Sequence, residues 1–177
     1  MKQQKIAFYV LVLFAGLSLV SCSTIPKGVT AVSPFEKEKY LGKWYEIARF
    51  DFKFEEGLNN TTAEYSIRDD GKIKVVNRGY DYENETWEKA EGKAKFVKSD
   101  TIAMLKVSFF GPFYGGYNVI TIDPDYQYAL VAGDSREYLW ILSREKTIPE
   151  SIKNQYIRKA EAHGFDTSEL IWVEHNK

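Results

Sequence analysis

Between Trp44 and Ser143 the chain falls into eight short strand-like segments, each closed by a turn signal. Such a run can build little besides an all-β barrel or sandwich. The segments are Trp44–Asp51, Asn60–Arg68, Lys72–Asp81, Thr86–Val97, Ile102–Phe110, Tyr117–Ile122, Tyr126–Ala132 and Glu137–Ser143. Asp69-Asp70-Gly71 joins the second to the third, and Asp-Gly tolerates the positive φ that a tight hairpin needs. Ala103, Leu105, Val107 and Phe109 alternate with Met104, Lys106 and Ser108, so the first set points to the interior. Around Trp140 both faces are apolar: Tyr138, Trp140 and Leu142 on one, Leu139 and Ile141 on the other. The outer face then needs a cover. Pro149–His163 supplies it, with Ile152, Tyr156 and Ala160 at helical spacing and Gly164 as the stop. Thr147-Ile148-Pro149-Glu150 reads as a capping box for that helix. A last strand is expected over Leu170–Val173.

The front of the chain obeys other rules. Lys2 and Lys5 precede an apolar run from Ile6 to Val20, too short for the roughly 20 residues that cross a bilayer and suited to a signal peptide, residues 1–21. Leu19-Val20-Ser21-Cys22 resembles the lipobox of bacterial lipoproteins, which implies cleavage before Cys22 and its acylation. Two or more acyl chains hold a protein stably on a membrane. Ser23 at the next position implies transfer to the outer membrane. Cys22 is the only cysteine, so no disulfide is left for the mature chain. Residues 22–33, polar with Pro and Gly, read as the lipidated N-terminus and a tether, and 34–177 as one domain. A formal net charge of −1 without a basic block speaks against nucleic acid as a partner.

Three motifs carry a family resemblance over Pro34–Val173. Gly42-Lys43-Trp44 resembles the Gly-x-Trp signature of lipocalins at their first strand. Thr121-Ile122-Asp123-Pro124-Asp125-Tyr126 resembles their second motif, with one residue more than usual before the Tyr. Ile141-Leu142-Ser143-Arg144 resembles the third, an Arg after the last barrel strand. Phe109-Phe110-Gly111-Pro112-Phe113-Tyr114-Gly115-Gly116-Tyr117 is similar to the bacterial branch, related to the apolipoprotein D group. The resemblance implies an eight-stranded antiparallel up-and-down lipocalin β-barrel with one C-terminal α-helix packed outside. It also implies that Trp44 plugs the closed end under the Arg144 guanidinium, so that Gly42, Trp44, Asp123 and Arg144 are structural.

An eight-stranded barrel holds side chains or one small ligand. Gly79, Ala90, Gly92 and Ala94 are the small inward residues expected to leave space, and Tyr65, Phe109, Tyr117, Tyr138 and Trp140 the walls. Asn77 is expected to face inward, either towards a ligand or bonded to backbone. These six, Tyr65, Asn77, Phe109, Tyr117, Tyr138 and Trp140, form the expected ligand site. The 15% aromatic content serves an apolar cavity or a packed core equally. His163 and His175 stand apart from any nucleophile, and Asp69-Asp70, Glu55-Glu56 and Asp123/Asp125 sit at turns, so no metal, cofactor or catalytic group is expected. The aromatic inward set, the near-zero charge and a lipid anchor point to a carrier of single-chain lipids, fatty acid or lysophospholipid, because an eight-stranded cavity fits one acyl chain. The lipobox implies its anchoring through Cys22 to the outer membrane, facing the periplasm. A lipid-modifying enzyme, a filled-barrel scaffold and a homodimer stay open as alternatives.

Overall fold

The turn-punctuated segments form nine strands of one antiparallel sheet in the computed structural model, which describes residues 24–177. They are β1 (Gly42–Phe50), β2 (Leu58–Ile67), β3 (Ile73–Asp81), β4 (Thr86–Phe96), β5 (Met104–Ser108), β6 (Gly115–Ile122), β7 (Tyr128–Ala132), β8 (Leu139–Ser143) and β9 (Leu170–Trp172). Each of β2–β8 pairs with its predecessor, and β8 returns to pair with β1, closing an eight-stranded barrel. β9 adds to the outside of β1 through Ala48, Arg49 and Phe50. That edge is free because β2 pairs with β1 only from Gly42 to Tyr45; on its other edge β1 slips register against β8 between Glu46 and Ala48, a bulge that bends the strand.

The two faces of the sheet bury separate clusters. Inside lie Trp44, Tyr65, Val75, Leu105, Val119 and Leu142, with Trp140 and Phe109 packed against them. Outside, Leu139, Ile141 and Leu130 pack against Tyr156 and Ala160 of α2 (Glu150–Ala162). The double apolar face of β8 therefore has the cover its sequence demanded. Tyr156 also donates to the Tyr128 carbonyl at 2.8 Å; burying such a ring contributes about 2–3 kcal/mol.

Four expectations need correction. The helix does not start from a capping box: Pro149 is its N-cap, with no side-chain cap, and the Thr147 carbonyl accepts from Ser143 Oγ instead. A box rooted at Thr147 would force Ile148, the residue before a proline, into a helical conformation that sterics disfavour. The seventh strand starts at Tyr128, because Tyr126 adopts φ 55° within a turn that Asp123 organises, its carboxylate accepting from the amides of Asp125, Gln127 and Tyr128. Residues 24–33 are no free tether. Val29 is buried, and Val32 bridges the Val119 carbonyl and the Ala103 amide. The short helix α1 (Lys37–Tyr40), absent from the sequence reading, then crosses the closed end. Gly92, finally, opens no space: a Cβ there would lie 2.8 Å from both the Phe109 ring and the Ser108 carbonyl. The Phe109 ring already fills the place.

Candidate ligand cavity

The lower end of the barrel is sealed by aromatic packing. Trp44 is fully buried on β1 and donates from Nε1 to the Tyr40 carbonyl at 2.8 Å. The guanidinium carbon of Arg144, just past β8, lies 3.8 Å from the Trp44 ring centroid. Its three nitrogens donate to four carbonyls: Tyr126 (3.2 Å), Lys43 (2.7 Å), Lys39 (2.7 Å) and Leu41 (2.9 Å). Gly42 at φ 90° turns the chain so that the carbonyls on either side of it reach the guanidinium. Tyr126, buried by its turn, accepts from the Glu36 amide through its hydroxyl at 2.8 Å. Asp123 acts through its turn alone. These residues form the floor.

Above the floor a cavity of about 950 Å³ opens to the other end of the barrel, where the β1–β2, β3–β4, β5–β6 and β7–β8 loops gather. Tyr65, Asn77, Phe109, Tyr117, Tyr138 and Trp140 all line it, as do Gly79, Ala90 and Ala94. Tyr138 and Trp140 stack with their planes 12° apart, and Phe52 meets both edge-on. At the base, Tyr117 Oη is 2.7 Å from Tyr65 Oη and 2.6 Å from Tyr40 Oη. Burial raises the pKa of all three phenols, so they stay neutral. Asn77 Oδ1 is buried with no protein hydrogen-bond partner.

The sequence pattern places Glu55 as a solvated turn carboxylate; the structure buries it instead in a polar cluster on the same wall, because the β1–β2 loop folds back over the barrel mouth. Glu46 and Glu55 line the cavity, and Arg49 beside them is 1% exposed. Arg49 Nε stands 3.5 Å from Glu55 Oε2, which also accepts from Trp140 Nε1 at 3.2 Å. Arg49 Nη2 donates to the Glu55 and Leu58 carbonyls at 2.6 and 3.1 Å, pinning the β1–β2 loop. Burial raises the pKa of both carboxyls, and the neighbouring Glu46 charge raises Glu55 further; Arg49 opposes both shifts. One guanidinium thus offsets the charge of two buried carboxyls. Alternation from Trp44 would have pointed Glu46 inward. Arg49 was not readable, since only the bulge turns it to the Trp140 side.

His175 packs edge-on against Tyr45, and its Nε2 lies 2.7 Å from the Glu46 carbonyl, away from the cavity. Among the described residues no group of three metal-ligating side chains gathers.

A closed eight-stranded meander with a sealed floor, one open mouth and a largely apolar interior is a ligand-holding barrel. A family model described as a lipocalin-like domain matches residues 35–175. The chain belongs to the lipocalin family. It is 56% identical over 162 residues to outer membrane lipoprotein Blc of Citrobacter freundii, covering 90% of this chain and 92% of that one. Apolipoprotein D of Rattus norvegicus is 35% identical over 123 residues, 65% of this chain and 64% of the relative. Insecticyanin from the tobacco hornworm Manduca sexta superposes with a TM-score of 0.67 at 21% identity, covering 86% of this chain and 87% of that structure; this likeness shows the fold.

Proposed function

We propose that this lipocalin binds a single-chain lipid, a fatty acid or lysophospholipid, at the bacterial outer membrane, held there by acyl chains on Cys22. The observation that carries the reading is the cavity: about 950 Å³, blind at the floor and open at one end. That volume lies in the range of small-ligand sites. A barrel filled by its own side chains would leave no such space, so the cavity favours binding over a scaffold role. Cys22 and the signal peptide lie outside the described residues. Their part in the reading rests on the lipobox and on relatives named outer membrane lipoproteins.

The six aromatic and polar wall residues are proposed as ligand contacts, with Trp140 nearest the polar cluster. A single chain buries its methylenes along Tyr65, Phe109 and Tyr138 and leaves a charged headgroup at the wet mouth, avoiding the cost of desolvating it. Titration of delipidated protein with lysophospholipid, fatty acid and diacyl lipid, read by Trp fluorescence, tests this. Saturable binding of single-chain lipids, weakened in Trp140→Ala, is expected. Tighter binding of the diacyl lipid, or no response to any single-chain lipid, overturns it.

A further inference from the structure

Three independent features converge on the mouth. Phe54 in the β1–β2 loop, and Phe110 and Phe113 in the β5–β6 loop, are 69%, 67% and 78% exposed, the most exposed large apolar side chains among the described residues. Phe54 and Phe110 approach each other with ring centroids 6.0 Å apart. Water-facing surface rarely gathers such rings without a partner.

The second feature is where the N-terminal segment joins the barrel. The Thr24 carbonyl accepts from Asn118 Nδ2 at 2.6 Å, and the same amide donates to the Ala132 and Gly133 carbonyls at 3.2 and 3.0 Å. Gly116 has no room for a Cβ because the Thr24 carbonyl and the Asp134 amide occupy its place. Arg136, in the β7–β8 loop, binds the Lys27 and His163 carbonyls at 2.8 Å each. The described chain therefore starts fixed beside the β5–β6 and β7–β8 loops, at the open end.

The third is distance along the chain. Cys22 precedes Thr24 by two residues, which span at most about 7 Å. An anchor there cannot let the barrel turn its mouth far from the bilayer.

We infer that the rim formed by Phe54, Phe110 and Phe113 is a membrane-docking surface, seated in the interfacial layer of the glycerophospholipid bilayer that holds the anchor. The inference rests on acylation of Cys22 and on the lipid-ligand reading above. The exposed Glu83 and Glu85 of the β3–β4 turn lie at the same end and stay among headgroups, so the barrel leans onto its β1–β2 and β5–β6 loops. A lipid then passes between bilayer and cavity without crossing water.

The test uses the full-length lipoprotein, its Cys22 acylation verified by mass, in phosphatidylethanolamine–phosphatidylglycerol vesicles. Acylation blocks the one native thiol, so F113C takes a single environment-sensitive NBD label; F110C provides a second rim position and D70C, in the β2–β3 turn, a closed-end control. Rim labels are expected to shift to the blue and to be quenched by lipids carrying shallow nitroxides, while the D70C label stays aqueous. Rim labels that stay aqueous on acylated protein, or stronger quenching at D70C, overturn the docking surface alone. Unacylated Cys22 in protein processed by the native host overturns the anchor reading and this inference with it.

Discussion

Replacing Arg144 by Ala removes a ring contact and four hydrogen bonds at once, and the structure allows the loss to be apportioned. Stacking on Trp44 at 3.8 Å contributes about 1 kcal/mol at a partly buried site. The Lys39 and Lys43 carbonyls face solvent, so water replaces the guanidinium there at little cost. The Leu41 and Tyr126 carbonyls are part-buried, and each unmet acceptor costs about 1 kcal/mol. The sum is about 3 kcal/mol, which for a domain of this size lowers the melting temperature by about 6–12 °C. Equilibrium urea unfolding of soluble, unacylated protein without lipid measures it, as a lower midpoint at unchanged slope. Arg144→Lys keeps the charge but loses the planar fork, and is expected to recover less than half of the deficit. A loss below about 1 kcal/mol, or an Arg144→Lys variant as stable as wild type, would refute the account of the floor as a guanidinium-centred network.

Gly92→Ala is expected to destabilise by about 1–3 kcal/mol, as overpacking does, because the new methyl meets the Ser108 backbone and displaces the Phe109 ring; parallel urea curves and lipid titrations check both effects. Glu46 and Glu55 have carboxyl pKa values raised by burial, so between the unfolded and folded values the native state binds more protons and stability falls as pH rises. Unfolding free energy is therefore expected to decline as pH rises above the ordinary carboxyl value of 4.5, by up to about 1.4 kcal/mol per pH unit per proton, and Glu55→Gln to flatten that slope; an equal slope in the variant counts against a Glu55 carboxyl held protonated by burial. Tyr156→Phe removes the bond to the Tyr128 carbonyl and should cost about 1 kcal/mol while leaving lipid affinity unchanged, since the helix covers the outer face.

Period-two alternation along β5 and β8, with turn residues between the strands, determined which face of each looks inward, and the apolar outer face of β8 called for a helix. Those features are local, set by side-chain periodicity and by the φ that glycine or Asp-Gly permits, so they were legible in the chain itself. Of the wall residues, Phe109, Tyr138 and Trp140 followed from the same alternation. Closure of β8 onto β1, the packing of residues 24–33 against β5 and β6, and the gathering of Phe54 with Phe110 join residues far apart in sequence. Only the tertiary structure decided them. The polar cluster shows why: the bulge between Glu46 and Ala48 shifts register once, and that slip turns Arg49 from the outer face its parity assigns to the wall where Glu55 and Trp140 meet it. Nothing in the residues of β1 alone marks the slip, because it is defined only by pairing with β8, a strand far away in the sequence.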